Sequence, residues 1–388
     1  MAKYSKGLAG VIAGETAIAT VGKKGHGLMY RGYSINDLTE NCIFEEIAYL
    51  LTRGHLPNQN ELRQYRLKIN SLFELPGTIR RILELTPKNC HPMDVLKTTC
   101  SVLGTLYPEK DITDTQEMLD ISDRLLAIFP SAIAYHYNYH FNGIIIDTKA
   151  LSKNDSIANH FLRLLHSANP SLINDEMVRC IDVSMICYAE HGFAASTFAS
   201  RVTTSTLSDA YSSICSAIGT LRGPLHGGAN EKAFYLINSF KDSSNNLNYV
   251  ESEIKNKLKR KEKIMGFGHR VYKICDPRSE IMQKWSDKLS MDNNNKFAKY
   301  NLCKISNRIQ ETMWNEKKLF PNVDFPAAMA YHQCGIPTDI FTPLFVCART
   351  AGWCSHIIEQ RTNNRLIRPS SIYIGPNLKS YVPIKSRL

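Results

Sequence analysis

The sequence predicts a mainly α-helical protein with one short β-hairpin near its N-terminus. Helical spacing of apolar residues dominates the chain, as along residues 44–51. Strand signals are short and few. The length of 388 residues is large for a single hydrophobic core, so we expect two domains or a domain that carries an insertion.

The individual elements follow in chain order. The hairpin is predicted where residues 16–21 and 28–30 flank Gly22-Lys-Lys-Gly25. A second strand is predicted at residues 143–146, which read Gly-Ile-Ile-Ile. Towards the C-terminus, Leu344, Ala348 and Ala351 define one apolar side of a helix that runs from about residue 343 to 360.

The composition changes between Asp242 and about Asn295. This stretch is rich in Lys, Asn, Ser and Asp, and apolar helical sequence returns near Phe325. A polar stretch of this length inside an apolar helical chain is typical of a smaller domain inserted into a larger one.

His136 and His140 form a candidate metal site. The two imidazoles lie one helical turn apart in His-Tyr-Asn-Tyr-His and have the spacing of metal ligands. No third ligand is apparent, so an aromatic surface turn is the favoured interpretation.

Charge and composition limit the classes of function. With 43% hydrophobic and 21% charged residues, the chain has the composition of an ordinary globular protein, and its formal charge of +11 favours anionic partners. The basic run at residues 255–263 is either a solvated helix face or a phosphate-binding segment. It lacks interleaved aromatic residues, so a nucleic-acid-binding protein is only a remote alternative. No stretch approaches the roughly 18 apolar residues of a membrane span.

Cysteine usage indicates the compartment. The 11 cysteines are scattered and form no Cys-x-x-Cys pair. This pattern favours small core residues in a reducing environment over disulfides or a zinc ribbon, so we expect a cytoplasmic protein.

Three polar islands carry the chemistry: Gly223-Pro-Leu-His226-Gly-Gly, Gly266-Phe-Gly-His269-Arg-Val-Tyr and Pro321-Asn-Val-Asp324-Phe-Pro. Each sets one ionisable side chain beside glycine or proline, where the backbone turns sharply and can approach a ligand. Two imidazoles and one carboxylate are suited to moving protons next to a carbonyl group. The islands together predict an enzyme.

Each island also has a simpler interpretation. His226 can be a helix-start residue that hydrogen-bonds the backbone, and His269 can be a turn residue. Asp324 lies before Pro326 at the start of an Ala-rich segment and has the composition of a helix N-cap, a position that would lower its pKa. The glycines around Phe267 lack the preceding strand and third glycine of a dinucleotide-binding motif.

Taken together, the islands and their neighbouring segments resemble the citrate synthase family along the whole chain, with bacterial 2-methylcitrate synthases as the most similar members. The motifs that carry the resemblance are Tyr188-Ala-Glu-His-Gly-Phe-Ala-Ala-Ser-Thr197, residues 222–231, Gly266–Tyr272 with Asp276-Pro-Arg278, residues 320–324, and the run from Ala348-Arg349 to Arg368-Pro369.

This resemblance implies a two-domain, almost wholly helical homodimer. A large domain would comprise residues 1–226 and 330–388, and a small domain, residues 227–329, would close over it. The reaction would condense an acyl coenzyme A with oxaloacetate and then hydrolyse the thioester. Acyl coenzyme A would be a co-substrate, and neither a permanently bound cofactor, a metal, a nucleic acid nor a membrane would be required.

The resemblance also assigns roles to residues. Asp324 matches the base, His226 the donor to the thioester oxygen, and His269 the group that polarises the oxaloacetate ketone. Oxaloacetate contacts are matched by His191, Arg278, Arg349, Arg368 and Arg80, and Arg368 is expected to reach across the dimer interface. Coenzyme A contacts are matched by Lys263, Ile264, Met265, Gly266 and Phe267.

Two positions depart from the family pattern. Gly192 and Ala194 stand where the family pattern has Glu and Asn, close to the substrate-contacting His191. A changed neighbour can alter the orientation of such a ring. The likeness over the N-terminal half, including residues 45–48 and 91–94, implies propionyl as the acyl group. One methylene changes binding by only about 1–3 kcal/mol, so side activity on acetyl coenzyme A is expected, and a citrate synthase that uses acetyl coenzyme A is the alternative.

Overall fold

A computed structural model describes residues 5–23, 27–152, 155–298 and 300–387. Within these residues the chain forms sixteen α-helices and one three-stranded sheet, so the predicted mainly helical fold is confirmed. The helices are α1 (Ile35–Asn41), α2 (Phe44–Arg53), α3 (Gln59–Ser71), α4 (Gly77–Leu85), α5 (Pro92–Leu106), α6 (Thr115–Tyr137), α7 (Ile157–Leu165), α8 (Asp175–Tyr188), α9 (Ala195–Ser205), α10 (Ala210–Leu221), α11 (Ala229–Ser239), α12 (Leu247–Lys259), α13 (Pro277–Met291), α14 (Tyr300–Lys317), α15 (Asp324–Gln333) and α16 (Phe341–Thr362).

The N-terminal hairpin is also confirmed. Strand β1 (Ala19–Lys23) pairs antiparallel with β2 (Gly27–Tyr30), and β2 pairs with a short β3 (Tyr33–Ser34) that the sequence analysis did not predict. Residues 24 and 25 of the predicted turn lie outside the described residues. The buried side chains of Leu28 and Tyr30 alternate along β2 and attach the sheet to the helical core.

Helix α16 is the centre of the core. It packs against α2, α5, α6, α8, α9 and α10, and most of its side chains are buried on all sides. A helix that is apolar around its whole circumference is typical of the interior of a large protein. The predicted helix at 343–360 is therefore right, but its apolar surface is wider than the single side that Leu344, Ala348 and Ala351 define. Pro343 is tolerated because it lies in the first turn.

The helices of the stretch predicted as a small domain pack on one another. Helix α12 packs on α14, and α13 and α11 both pack on α15. Helix α13 also contacts α8, and Asn174, just before α8, donates to Asp292, just after α13, at 3.2 Å. The two helices are therefore antiparallel, and the N-terminus of α13 lies towards the C-terminal end of α8. Helices α11 and α15 also contact the core, at α16 and α8 respectively.

Two predictions outside the site are wrong. Residues 143–146 form no strand, because Gly143 turns left-handed (φ 67°) after a π-turn at Asn138–Asn142 and the residues that follow have no sheet partner in the described part of the chain. His136 is not on the surface: it is 2% exposed inside α6, and its ring packs on that of His140 with centroids 4.5 Å apart.

The short helical turns complete the chain. The 3-10 turns are Lys6–Leu8, Pro170–Leu172, Lys241–Ser243, Thr338–Ile340 and Ile384–Ser386. After α16 the chain runs to residue 387 almost without regular structure and with its side chains largely exposed. None of the described helices has the length and the apolar character needed to cross a membrane.

Candidate active site

The three polar islands meet at one cavity of about 1280 Å³. His226 reaches it from the turn between α10 and α11, His269 from the loop between α12 and α13, and Asp324 from the first residue of α15. His191, which follows α8, lies on the same wall. The cavity therefore collects every ionisable group that the islands singled out.

Main-chain hydrogen bonds join the segment around His269 to the segment around Asp324. The nitrogen of Gly268 donates to the oxygen of Phe320 at 2.8 Å, and the nitrogen of Asn322 donates to the oxygen of Gly266 at 2.9 Å. Gly266 has a φ of +88°, and a β-carbon there would lie 2.9 Å from the Phe325 side chain. Glycine is required at this position because the two loops lie so close together.

The carboxylate of Asp324 does not cap its helix. Its Oδ1 accepts a hydrogen bond from Tyr188 Oη at 2.7 Å, while the side chain of Asn322 accepts from the Asp324 main-chain nitrogen at 3.1 Å. The N-cap interpretation is thus wrong for Asp324, because Asn322 takes that local role. The expected lowering of its pKa is also wrong: burial raises the pKa of Asp324 to about 6.

His226 is held as a neutral ring. Its Nε2 faces the main-chain nitrogen of Ser196 at 3.3 Å and Ser196 Oγ at 2.9 Å. The indole nitrogen of Trp353 donates to the same Oγ at 3.2 Å, so the serine hydroxyl is left to donate to Nε2. Burial, with nearby Arg349, lowers the pKa of His226 to about 4. The ring proton therefore lies on Nδ1 and is available to a ligand.

His269 is neutral with the opposite tautomer. Its Nδ1 accepts hydrogen bonds from the main-chain nitrogens of Val271 at 3.0 Å and Tyr272 at 3.2 Å, so Nε2 carries the proton. Burial, reinforced by the charge of Arg278, lowers the pKa of His269 to about 4. The site thus offers two neutral imidazole N–H donors at neutral pH.

The ring of His191 lies next to this donor. The ring centroids of His191 and His269 are 5.1 Å apart, and His191 Nε2 is 3.1 Å from Tyr272 Oη. Burial and then the charge of Arg278 hold the pKa of His191 well below its ordinary value. Tyr272, which contacts both rings, fixes their relative orientation.

Two buried arginines give the cavity its positive charge. Arg278 forms a two-pronged ion pair with Asp276, with Nε to Oδ1 at 2.9 Å and Nη2 to Oδ2 at 2.8 Å. Arg349 donates from Nε to the main-chain oxygen of Tyr188 at 2.7 Å, but its buried Nη1 has no partner in the described part of the chain. A buried guanidinium with an unused N–H is costly without an anion, so the cavity suits a carboxylate ligand.

The other predicted residues divide into two groups. Lys263, Ile264, Met265, Gly266 and Phe267 line the cavity. Arg80 lies exposed on α4, and Arg368 lies exposed in the run after α16, so this chain brings neither to the cavity. His136 and His140 lie elsewhere, and no cluster of three potential metal ligands occurs among the described residues.

Gly192 and Ala194, which differ from the family pattern, also line the cavity. Gly192 has a φ of +59°, and its main-chain nitrogen donates to the buried carboxylate of Glu190. That carboxylate also accepts from His356 at 2.9 Å. The turn after His191 is therefore held by Glu190, without side chains from positions 192 and 194.

Sequence reasoning missed three residues of the site. Tyr188, Ser196 and Phe345 all contact its ionisable groups: Phe345 packs its ring 4.5 Å from Tyr188, 6.1 Å from the ring of His226 and 4.7 Å from the Arg349 guanidinium. Tyr188 and Ser196 lie in the segment around His191 that the sequence analysis quoted, which was the available signal. Nothing marks Phe345 in the sequence, because it looks like any core residue of α16.

Comparison with known proteins gives a consistent result. A family profile described as "Citrate synthase, C-terminal domain" matches residues 7–370. The chain is 48% identical to a 2-methylcitrate synthase of Shewanella oneidensis, over 98% of this chain and 97% of that protein, and 40% identical to citrate synthase 2 of Bacillus subtilis over 99% of both. It also matches the solved ternary complex of carboxymethyl coenzyme A and oxaloacetate with the citrate synthase of Thermoplasma acidophilum, with a TM-score of 0.89, 30% identity, and coverage of 99% of this chain and 100% of that one.

Proposed function

This chain belongs to the citrate synthase family of acyl-transferring enzymes, and we propose that it acts as a 2-methylcitrate synthase. Propionyl coenzyme A would condense with oxaloacetate and water to give 2-methylcitrate and coenzyme A. The observation that carries the proposal is the close similarity to such an enzyme along nearly the whole chain. The cavity supplies the chemistry, with the half-buried carboxylate of Asp324, two neutral imidazole donors and two buried arginines.

In the first step Asp324 removes a proton from the carbon beside the thioester. The C–H bond breaks, the proton passes to the carboxylate, and negative charge moves to the thioester oxygen. His226 donates to that oxygen from Nδ1, which stabilises the enol or enolate as it forms. A pKa of about 6 makes Asp324 a stronger base than an exposed aspartate, yet leaves it ionised above neutral pH.

In the second step the new nucleophilic carbon attacks the ketone carbon of oxaloacetate. A C–C bond forms as the π bond of the ketone breaks, and the developing alkoxide accepts a hydrogen bond from His269 Nε2. This oxygen takes up one proton while Asp324 releases the proton that it removed, so the imidazole stays neutral. Water then hydrolyses the thioester and releases the coenzyme A thiol. The two imidazoles come from different loops and each offers one N–H, so each would serve a different oxygen.

The remaining contacts hold the substrates. Arg278 and Arg349 would bind the carboxylates of oxaloacetate, with His191 beside them, because planar guanidinium groups bind carboxylates with two parallel hydrogen bonds. The segment 263–267 would contact coenzyme A. Arg80 is left out of the proposal because its side chain is exposed on α4.

We also propose a homodimer in which Arg368 enters the partner's cavity, and a small domain of residues 227–329 that closes over the substrates. The support for the dimer is the run after α16, which exposes Ile372, Tyr373, Ile374 and Leu378. Exposed apolar side chains on an extended segment favour a protein partner. The eleven free thiols and the absence of a disulfide pattern favour the cytoplasm.

The dimer can be tested by complementation between two inactive variants, Arg368→Ala and Asp324→Asn. In a mixed dimer, the chain with the intact Asp324 receives Arg368 from its partner, so one complete site forms. Random co-assembly should restore about a quarter of wild-type activity. Full retention of activity by Arg368→Ala alone would refute this role.

The alternative is a citrate synthase that uses acetyl coenzyme A, and the similarity to the Bacillus subtilis enzyme favours it. Steady-state assays at saturating oxaloacetate should give a larger kcat/KM for propionyl than for acetyl coenzyme A, and a clear preference for acetyl would overturn the proposal. Nucleic-acid binding is disfavoured further, because Lys255, Lys257 and Arg260 of the basic run form ion pairs with neighbouring glutamates.

A further inference from the structure

The hydroxyl of Tyr188 makes the single side-chain hydrogen bond to the Asp324 carboxylate found in the described part of the chain. The distance from Oη to Oδ1 is 2.7 Å. Tyr188 is the last residue of α8 and is 1% exposed, while Asp324 is half-buried at the wall of the cavity. The bond occupies Oδ1 and leaves Oδ2 for another partner.

Tyr188 is fixed at both ends. Arg349 donates from Nε to its main-chain oxygen at 2.7 Å, and its ring packs edge to face against Phe345 with centroids 4.5 Å apart. A side chain locked by packing and by a second hydrogen bond can hold its neighbour to within a fraction of an ångström. Burial also keeps the pKa of Tyr188 well above its ordinary value, so the phenol remains a donor at every working pH.

We propose that Tyr188 is a positioning residue for the base, which holds Asp324 Oδ1 so that Oδ2 meets the carbon beside the thioester. This inference rests on the proposed function, because it needs Asp324 to be the base. It adds a role for the tyrosine hydroxyl in both the orientation and the ionisation of that carboxylate.

The charged and titratable groups that face Asp324 come from four helices. They are Tyr188 on α8, Asp276 and Arg278 at the start of α13, Arg349 on α16, and Tyr331 on its own helix α15. The cavity imidazoles of His191, His226 and His269 add no charge near neutral pH. Burial raises the pKa of Asp324, and the Tyr188 hydrogen bond is the strongest of the effects that oppose it. Removal of the hydroxyl should therefore raise this pKa further.

The alternative is that Tyr188 only fills space between α8 and α16. Tyr188→Phe distinguishes a positioning role from a packing role, because it keeps the ring and removes the hydroxyl. A matched control is Tyr331→Phe, which also removes a buried tyrosine hydroxyl close to Asp324, one that pairs with Ser184 at 2.5 Å and not with the carboxylate. Both variants are compared with the wild type in pH profiles of kcat and in calorimetric titrations with oxaloacetate.

For Tyr188→Phe we expect kcat at pH 7 to fall about tenfold or more, and the acidic limb of its pH profile to move up by about one pH unit. The oxaloacetate Kd should stay within about threefold of wild type, because the arginines are untouched. Tyr331→Phe should leave the limb in place. A limb that does not move in Tyr188→Phe overturns the inference, whatever happens to kcat.

A second measurement decides the case if Tyr188→Phe does not fold. Incorporation of 3-fluorotyrosine at position 188 keeps the ring and makes the hydroxyl a stronger donor, so the acidic limb should move to lower pH; an unchanged limb contradicts the inference. A wild-type protein that condenses neither thioester would refute the proposed function itself. An active wild type, together with an acidic limb that the changes at position 188 do not move, refutes only the role of Tyr188.

Discussion

The carboxylate of Asp276 accepts a hydrogen bond from the main-chain nitrogen of Val323 at 3.1 Å, one residue before Asp324. The same carboxylate forms the two-pronged ion pair with Arg278 and accepts from the Arg278 main-chain nitrogen at the start of α13. One buried group therefore positions both the candidate base and a candidate oxaloacetate-binding arginine.

The first prediction follows from this arrangement. Asp276→Asn removes the countercharge of a buried arginine, and loss of one partner of a buried ion pair costs about 3–5 kcal/mol of stability. We expect a lower Tm and a KM for oxaloacetate raised about tenfold or more, because Arg278 loses its fixed orientation. The matched control is Asp114→Asn, a helix cap of the same geometry at α6 that is remote from the cavity. An unchanged KM in Asp276→Asn would contradict the positioning role.

The second prediction concerns the base itself. Asp324→Asn keeps the size of the side chain and lets its oxygen accept from Tyr188, but it removes the group that takes the proton. The kcat should fall by roughly three orders of magnitude or more, while calorimetry should show oxaloacetate binding within about threefold of wild type. Residual activity above about a tenth of wild type would mean that another group is the base.

The third prediction is the pH dependence of the wild type. Asp324 must be deprotonated to act, and burial raises its pKa to about 6, so kcat/KM should be full above this value and fall about tenfold per unit below it. The imidazoles of His226 and His269, with pKa values lowered to about 4, stay neutral across this range and should add no limb near pH 6.5. A measured limb below pH 4.5 would show that burial does not raise the pKa of the catalytic carboxylate.

The fourth prediction tests the tautomer of His226. Ser196→Ala removes the hydroxyl that donates to Nε2 and leaves the weaker main-chain contact at 3.3 Å, so the ring is less firmly held with its proton on Nδ1. We expect kcat to fall about tenfold or more with little change in the oxaloacetate KM. Ser200→Ala, one turn further along α9, removes a buried hydroxyl that has no hydrogen-bond partner among the described residues, and its kcat should match that of wild type.

The sequence was sufficient to identify the ionisable side chains of the three polar islands, because glycine and proline mark the turns on which they lie. His226, His269 and Asp324 are recognisable for this reason, and the cavity collects all three. Tyr188 and Phe345 carry no comparable mark, since a buried aromatic residue on a helix looks the same whether it packs the core or contacts a carboxylate. The strand predicted at residues 143–146 failed because an apolar run forms a strand only where a partner strand is available.

The local role of Asp324 was misjudged for a related reason. A sequence shows that an aspartate begins a helix, but not which way its side chain turns, and here Asn322 supplies the local hydrogen bond while Asp324 turns to Tyr188. Burial, which depends on packing between α8, α13 and α16, then outweighs the effect of the helix start on its pKa. Long-range packing of this kind has no local signature in the chain.

The last prediction concerns stability away from the cavity. Glu45 is 1% exposed; its Oε1 accepts from the main-chain nitrogen of Ile157 at 2.7 Å, and its Oε2 is buried without a partner in the described part of the chain. Burial, and then the nearby Asp182 carboxylate, raise the pKa of Glu45 above its ordinary 4.5. The folded state therefore binds this proton more tightly than the unfolded state, so its contribution to stability is greatest below pH 4.5 and is lost as the pH rises through the folded pKa.

Glu45→Gln should remove the loss of stability that ionisation of Glu45 causes at high pH. The amide keeps an oxygen that accepts from the Ile157 nitrogen, and it carries no charge. Urea unfolding at pH 8 should show the variant more stable than wild type by on the order of 1–2 kcal/mol, with the difference shrinking towards pH 5. Glu74→Gln, whose side chain is about half exposed, is the control and should change little at either pH. A Glu45→Gln variant that is less stable than wild type at pH 8 would show that the carboxylate is stabilised in its ionised form, and that the raised pKa is wrong.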